Sequence, residues 1–177
     1  MIMSFDTLKS ESLILRAPEE TDVDRLFFWE NDRSLMESLP CPAPVSRFQV
    51  WEYIRNYKAD PFTSGELRLI ISDPAGNALG YIDLFDFDAI NRRAGIGIYI
   101  DDEYRRRGYA TEAIRLLCGY AHETLGIHQL WAYVAVDNRP SVDLFTAAEF
   151  KPAGKLRSWI RRGHTNADAL ILQRLFT

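Results

Sequence analysis

Residues 94–111, AGIGIYIDDEYRRRGYAT, constrain the fold more than any other stretch of this chain. Ile96, Ile98 and Ile100 alternate with smaller or polar residues, which is the periodicity of a β-strand. A segment rich in arginine follows and leads into a helical pattern that opens with Gly108 and Ala110, with apolar residues recurring on one face. The sequence therefore predicts a strand, a tight turn and a helix in direct succession.

The turn and the first turn of this helix form a candidate anion site. Gly108 and Ala110 leave the first backbone N–H groups of the helix unhindered, and unpaired donors at the positive end of a helix dipole attract phosphate. Arg105 and Arg107 add permanent charge with a fork geometry suited to pyrophosphate. Three consecutive arginines are also typical of a solvated helix end, so the charge alone leaves both interpretations open.

Composition and length predict one domain that spans residues 1–177. Hydrophobic residues make up 47% of the chain and charged residues 26%, which is ordinary for a globular protein. No apolar run is long enough to cross a bilayer, and the N-terminus lacks the regions of a signal peptide, so we expect a cytoplasmic protein without a membrane partner. Cys41 and Cys118 give neither a disulfide framework nor metal-ligand spacing, so no metal is expected.

Charge is distributed unevenly along the chain. Residues 1–91 hold 16 acidic and 8 basic residues, whereas residues 92–177 hold 9 and 13. A basic half suits a polyanionic cofactor and an acidic half suits a cationic acceptor, although chance surface composition gives the same pattern. The acidic balance of the whole chain argues against nucleic-acid binding.

The order of elements predicts an α/β (or α+β) three-layer domain with a mixed sheet. We expect Thr21 to cap a first helix, and Ser46 with Gln49 to form the capping box of a second. A strand–helix–strand–helix order then follows from residue 94 onward. The strands outside the organising one are expected at residues 12–16, 66–72, 78–87, 129–136, 150–152, 156–160 and 169–175.

Two motifs resemble those of the Gcn5-related N-acetyltransferases, the GNAT family. The spacing Arg105-x-x-Gly108-x-Ala110 is similar to the family's (Q/R)-x-x-G-x-(G/A) loop, and it stands between a strand and a helix as such a loop requires. The segment Asn138-x-x-Ser141, followed by Leu144 and Phe145, resembles the second motif. Residues 80–100 and 156–173 look most like bacterial spermidine/spermine N-acetyltransferases, and residues 138–141 look equally like the N-terminal acetyltransferases of ribosomal proteins.

The resemblance implies a twisted mixed sheet of about seven strands, in which two central strands splay apart and acetyl-CoA inserts its pantetheine arm. Gly95 and Gly97 fit the bulge that the family places there. Backbone groups of Ile98 and Ile100 should pair with the pantetheine amides. Asn138 should bind the pantetheine region, although it also suits a helix N-cap, and both roles can hold together. The pyrophosphate should be held by the backbone of Arg105, Arg106, Arg107, Gly108, Tyr109, Ala110 and Thr111.

The resemblance further implies direct acetyl transfer to a primary amine in a ternary complex. An alkylamine titrates near 10.4, so a base must remove its proton. Asp83 is the first candidate because the polyamine enzymes carry a glutamate there, and Glu37 is the second. Alternatively, Asp83 belongs to a solvated strand face with Asp86 and Asp88. Likewise Glu37, with Glu30 and Asp32, could line a polyamine site or form a solvated helix face.

Phe145 departs from the family, in which a tyrosine often protonates the leaving sulfur, because phenylalanine carries no proton to donate. Ser141 could be the acid, Tyr99 or Tyr109 could reach in, or thiolate could leave without an acid. A non-catalytic acyl-CoA-binding module is the alternative of another class. The expected acceptor is a polyamine or small amine, or a protein N-terminus, and the resemblance implies a homo-oligomer.

Overall fold

A seven-stranded mixed sheet with the order β1-β2-β3-β4-β5-β7-β6 organises the computed structural model, which describes residues 5–32 and 43–177. The predicted fold class is confirmed. The strands are β1 (Ile14–Arg16), β2 (Leu67–Ser72), β3 (Ala78–Asp88), β4 (Arg93–Ile100), β5 (Gln129–Ala135), β6 (Lys151–Arg162) and β7 (Thr165–Leu175). The helices are α1 (Val23–Glu30), α2 (Arg47–Asn56), α3 (Pro61–Ser64), α4 (Tyr109–Glu123) and α5 (Arg139–Ala147), with 3-10 turns at Phe5–Leu8, Glu20–Asp22 and Asp102–Tyr104.

The parallel strands β4 and β5 diverge at the centre of the sheet. They pair only where Arg93, Ala94 and Gly95 stand opposite the first three residues of β5. Strand β4 continues to Ile100 without pairing with β5, so the edge of β4 that faces β5 is open over its second half. This divergence is the predicted splay.

The predicted bulge at Gly95 and Gly97 is wrong with respect to β3. The antiparallel register of β3 and β4 is continuous until Phe85 pairs with Gly95, and the irregularity lies on β3, where Asp86 has a φ of 48°. Gly95 is needed for another reason, because a Cβ there would lie 2.4 Å from the Phe85 ring. The glycine is therefore a consequence of packing against an aromatic ring.

Apolar cores lie on both faces of the sheet, as expected for three layers. The larger core includes Ile82 of β3, Ile114 of α4 and Phe145 of α5. The smaller core joins α1 and α2 to the opposite face through residues such as Trp29 and Tyr81. The two layers of helices thus cover different faces, and α4 and α5 share one of them.

The capping predictions had different outcomes. Ser46 and Gln49 form the predicted capping box, with hydrogen bonds of 3.1 Å and 2.7 Å. Thr21 does not cap α1, because a 3-10 turn precedes that helix and Asp22 occupies the N-cap position. The Asp22 carboxylate is instead held by Arg16 through two hydrogen bonds of 2.7 Å and 2.8 Å. At the C-terminal end, the strands predicted at residues 150–152 and 156–160 are parts of one strand, β6, which begins at Lys151 and is interrupted by two register shifts.

Candidate active site

Helix α4 begins without a side-chain cap. Gly108 occupies the N-cap position with a φ of 84°, a left-handed conformation that glycine adopts without strain. Glu112 makes the first i→i−4 hydrogen bond, to the Gly108 carbonyl at 3.1 Å. The N–H groups of Tyr109, Ala110 and Thr111 therefore have no helical acceptor. This open start lies where the sequence predicts an anion site.

The arginines of the loop directly precede this open start, and Arg105 is paired through Nη1 with Asp102 at 2.6 Å. Arg105 donates from Nε to the Ile100 carbonyl at 2.9 Å, which ties the loop to the end of β4. Arg107 donates from Nη2 to the Glu103 carbonyl at 2.9 Å. Arg106 has a φ of 61°, and all three side chains are exposed. Three exposed guanidinium groups beside unpaired helix donors create a positive site suited to pyrophosphate.

The open edge of β4 can be oriented from its flanking hydrogen bonds. The Arg92 carbonyl accepts from the backbone N–H groups of the segment that begins β5, and the Asp101 N–H donates to β3. Because successive backbone groups of a strand point to opposite sides, those of Ile96, Ile98 and Ile100 face the gap. The Ile100 carbonyl already accepts from Arg105, so its N–H is the group still open to a ligand.

On the other side of the gap, Asn138 caps α5. Its Oδ1 accepts from the Ser141 N–H at 3.2 Å, so the N-cap interpretation is confirmed. The Asn138 amide nitrogen and the Ser141 hydroxyl form no hydrogen bond with residues 5–32 or 43–177. The predicted contact of Asn138 with pantetheine and the predicted acid role of Ser141 stay predictions.

Phe145 and the two tyrosines considered as acids in its place, Tyr99 and Tyr109, pack against the two cores. Phe145 is buried, with its ring edge against Phe150 at a centroid distance of 5.1 Å. Tyr99 donates from its hydroxyl to Asp32 at 3.3 Å, and burial raises its pKa. Tyr109 is half-buried against the larger core. Tyr99 is thus already engaged on the face covered by α1 and α2.

Asp83 belongs to a charge network on that same face. Its two carboxylate oxygens accept from Nε and Nη2 of Arg68 at 2.9 Å and 2.8 Å. The third arm of the guanidinium, Nη1, donates to Glu30 at 2.5 Å. The Asp83 side chain is 21% exposed and that of Glu30 is 19% exposed. The solvated-face alternative therefore fails for both residues, while Asp86 is exposed as that alternative predicted.

Burial makes Asp83 a stronger base than a free aspartate. Burial raises its pKa, and the charge and hydrogen bonds of Arg68 oppose this rise only in part. Arg68 was missed in the sequence, although the segment LRLIIS of β2 offered a signal. A charged residue within a buried strand requires a partner of opposite charge, and Arg68 is paired with two carboxylates.

The remaining predictions concern Glu37, the two cysteines, metal binding and membrane spans. Glu37 and Cys41 lie outside the described residues. Among residues 5–32 and 43–177, no group of three His, Cys, Asp or Glu side chains could hold a metal ion. Burial raises the pKa of the Cys118 thiol to about 11, so it is not a nucleophile at neutral pH. No helix in the described ranges is long and apolar enough to span a membrane.

The chain is similar in sequence to acetyltransferases of Vibrio cholerae and Bacillus subtilis. Spermidine N(1)-acetyltransferase of Vibrio cholerae is 28% identical over 147 residues, which make up 83% of each chain. The putative ribosomal N-acetyltransferase YdaF of Bacillus subtilis is 35% identical over 82 residues, which make up 46% of this chain and 45% of YdaF.

Solved structures give the same result. Spermidine N-acetyltransferase of Vibrio cholerae in complex with CoA and spermine matches with a TM-score of 0.82 and 25% identity, over 94% of this chain and 96% of that one. A dodecameric structure of the Vibrio cholerae enzyme matches with a TM-score of 0.78 and 25% identity, over 94% and 95%. The acetyltransferase (GNAT) domain family matches residues 12–151. With the open helix, the arginine loop and the splay in the places that this family requires, the chain belongs to the GNAT acetyltransferases.

Proposed function

We propose that this protein transfers the acetyl group of acetyl-CoA to the primary amine of a small cationic acceptor, foremost a polyamine, by direct transfer in a ternary complex. The observation that carries the proposal is the uncapped start of α4 beside the open edge of β4. A pyrophosphate and an amide-containing arm need these two features side by side.

The residues present fit acetyl-CoA. Backbone N–H groups between Arg105 and Thr111, with the loop guanidinium groups, would hold the pyrophosphate. Backbone groups of Ile98 and the Ile100 N–H would pair with the pantetheine arm, and the Asn138 amide would bind it from the opposite side. The bound co-substrate supplies an activated acetyl thioester. The protein's own task is to orient the amine and to take its proton.

Asp83 is the proposed base. A primary amine is protonated near neutral pH, and only the neutral form is a nucleophile. The raised pKa of Asp83 makes it a better proton acceptor than a solvated aspartate, and Arg68 fixes its orientation through both oxygens. Glu37 remains the second candidate.

Two routes remain for the leaving sulfur. The Ser141 hydroxyl, in the first turn of α5, is one donor. Alternatively the thiolate leaves unprotonated, because a thiol pKa of about 8.5 makes it a tolerable leaving group near neutral pH. Phe145 is the feature that favours a non-catalytic binding module, whereas the network of Asp83, Arg68 and Glu30 supports a catalytic site that works without the usual tyrosine.

A cationic acceptor is supported by charge and by the relatives. Two carboxylates share the single guanidinium of Arg68, which leaves a net negative charge beside the aromatic residues Tyr81 and Tyr99. The Vibrio relative carries the name of a spermidine acetyltransferase and was solved with spermine. The similarity to YdaF favours a second candidate, the N-terminus of a ribosomal protein. A homo-oligomer is inferred from the dodecamer of the Vibrio enzyme, and the cytoplasmic location stays a prediction.

Release of free CoA tests the proposal. Wild-type protein with acetyl-CoA is given spermidine, spermine, simple diamines or ribosomal N-terminal peptides, and thiol is measured. Turnover of the polyamines alone supports the first candidate, and turnover of peptides alone replaces it with the second. Tight binding of acetyl-CoA without turnover of any amine would overturn the enzyme and favour a binding module.

A further inference from the structure

Strand β4 carries a gap in its side chains directly opposite the proposed base. Asp83 of β3 pairs in register with Gly97 of β4, so the two residues stand side by side on the same face of the sheet. Gly97 is also accessible: it is half-exposed, while Gly95 and Tyr99, its neighbours on the same face of β4, are buried. The opening lies where the strand leaves its partner β5.

Aromatic rings bound this opening at both ends. Towards the paired end of the strands, the Phe85 ring covers Gly95. Towards the other end, Tyr99 stacks on Tyr81 with a centroid distance of 5.4 Å and an interplanar angle of 20°. All four residues share the face that carries Asp83, because each is an even number of positions from Asp83 or its partner Gly97. The result is a slot one residue wide that leads from Asp83 across Gly97 to the open edge of β4.

The slot has space for a substituent that the protein does not supply. The nearest atom to a Cβ built on Gly97 is a carbon of the Phe85 ring at 3.7 Å, which is ordinary van der Waals contact. The backbone of Gly97 has no positive φ that would require glycine. Neither strain nor crowding of the folded protein therefore explains the missing side chain, in contrast to Gly95.

We propose that Gly97 determines acceptor specificity: its missing side chain forms the slot through which an unbranched primary amine reaches between Asp83 and the open edge of β4. This inference rests on the proposed function and names the part of the acceptor that the site selects. An ammonium is attracted by the carboxylate of Asp83, and a single –CH₂–NH₃⁺ end fits a slot one residue wide. An amine branched at the carbon next to nitrogen meets the walls.

The test varies the size of residue 97 and of the amine. Gly97→Ala and Gly97→Val are assayed with an unbranched diamine and with one methylated at the carbon beside the amine. Gly154→Val is the matched control, because Gly154 lies on the exposed strand β6 with open space around it. Acetyl-CoA affinity by calorimetry and the melting temperature are recorded for every variant.

The proposal predicts a graded rise in the KM of the acceptor amine without a comparable change in acetyl-CoA affinity. The KM of the unbranched amine should rise about threefold in Gly97→Ala and at least about tenfold in Gly97→Val, and the branched amine should lose more at each step. Acetyl-CoA affinity and the control variant should change less than about twofold. Gly97→Ala preserves the test if the valine variant folds poorly, since its added methyl group meets only ordinary contact.

Two results would overturn the inference alone: an unchanged amine KM in both folded variants, or a loss of acetyl-CoA affinity as large as the loss for the amine. A wild-type protein that binds acetyl-CoA but acetylates no amine would overturn the proposed function as well. The failure of this inference is therefore distinguishable from the failure of the proposed function.

Discussion

The units β4–α4 and β5–α5 both lead from a strand of the diverging pair, through a short loop, into a helix on the same face of the sheet. Helix α4 starts at Gly108 without a side-chain cap, next to three exposed arginines. Helix α5 starts at Asn138, whose side chain accepts one of the first N–H groups, and has Pro140 in its first turn. Both starts have an ion-paired arginine nearby, Arg162 with Asp137 at 2.5 Å near α5 and Arg105 with Asp102 at 2.6 Å near α4.

The difference shows that topology alone does not create an anion site. Two helices in equivalent positions have the same dipole direction and exposed arginines near their starts, but only α4 keeps its first N–H donors unpaired. The donors of α5 are used by its own cap or removed by proline. We therefore expect the pyrophosphate on one side of the gap and only uncharged contacts on the other.

The largest effect is expected from loss of the proposed base, which lies on the β4 side of the gap, as the predicted anion site does. Asp83→Asn, on the strand beside β4, should lower kcat about 100-fold, because loss of a general base costs about that factor or more. Since burial raises the pKa of Asp83, the wild-type rate should fall as pH drops through a value above that of a free aspartate, and this acid limb should disappear in the variant.

The rate of thiol release over a pH series measures both the fall in kcat and the loss of the acid limb. The acetyl-CoA affinity of Asp83→Asn is the control and should stay unchanged, because Arg68 keeps Glu30 as a partner and the loop is untouched. An unaltered acid limb would assign the base elsewhere, with Glu37 the next residue to replace.

A negative charge placed at the open helix should break the anion site. Thr111 is exposed in the first turn of α4, and Thr111→Glu should weaken acetyl-CoA binding about 30-fold, corresponding to about 2 kcal/mol, while stabilising the free helix. Thr111→Gln, of the same shape without charge, should stay within about threefold. Arg139→Glu applies a larger charge change to α5 and should also stay within about threefold if α5 is closed to anions. Calorimetric titration with acetyl-CoA compares the three variants; equal losses at both helices would abolish the distinction.

Arg105 should contribute less than the helix as a whole. Arg105→Ala removes a guanidinium and its bond to the Ile100 carbonyl, and we expect about tenfold weaker acetyl-CoA binding. The dependence of affinity on salt should also become shallower, since one cation fewer faces the phosphates. A titration at two salt concentrations measures this, and an unchanged salt dependence would mean that Arg105 acts only within the loop.

Two substitutions of Asn138 separate its role as a helix cap from its proposed role in binding pantetheine. Asn138→Ala removes the cap and should cost about 1 kcal/mol of folding free energy. Asn138→Ser keeps a capping oxygen and should retain most of that stability, while it loses the amide that is proposed to bind pantetheine. If both variants bind acetyl-CoA about threefold more weakly, the amide contributes to binding. If the serine variant binds like wild type, Asn138 is a cap and nothing more. Thermal unfolding and calorimetry give the two readouts.

The smallest effect on acetyl-CoA binding is expected from Phe145→Tyr. Phe145 lies in the core of α5 against Phe150, so the added hydroxyl should cost about 1–2 kcal/mol of stability if it stays buried. Acetyl-CoA affinity should stay within about threefold. A collapse of affinity in a folded variant, measured by the same titration, would show that the ring lies against the co-substrate.

Local signals in the sequence predicted the starts of both helices, since Asn138 was also expected as a helix cap. The open start of α4 depends on residues adjacent in sequence, so the strand, the glycine and the arginines sufficed. The Ser46 capping box was equally local. Thr21 failed as a cap because Asp22 is held by Arg16, which comes from the preceding strand.

Long-range pairings explain what the sequence left open. The partner of Asp83 comes from a neighbouring strand and the partner of Arg68 from a helix, so the network was invisible to periodicity. The family resemblance, supported by the strand glycines, predicts a bulge on β4, whereas Gly95 accommodates a ring from β3. Register across strands decides both points, and register depends on the whole sheet.

The account depends most on the open start of α4, and amide hydrogen exchange measures it directly. Exchange rates of the backbone N–H groups of Gly108, Tyr109, Ala110 and Thr111 would be followed by NMR with and without acetyl-CoA, beside those of Arg139 and Ser141 in α5. We predict strong slowing at the four α4 positions and little change at the two α5 positions. Equal slowing in both helices, or slowing confined to α5, would contradict the assignment of the anion site to α4.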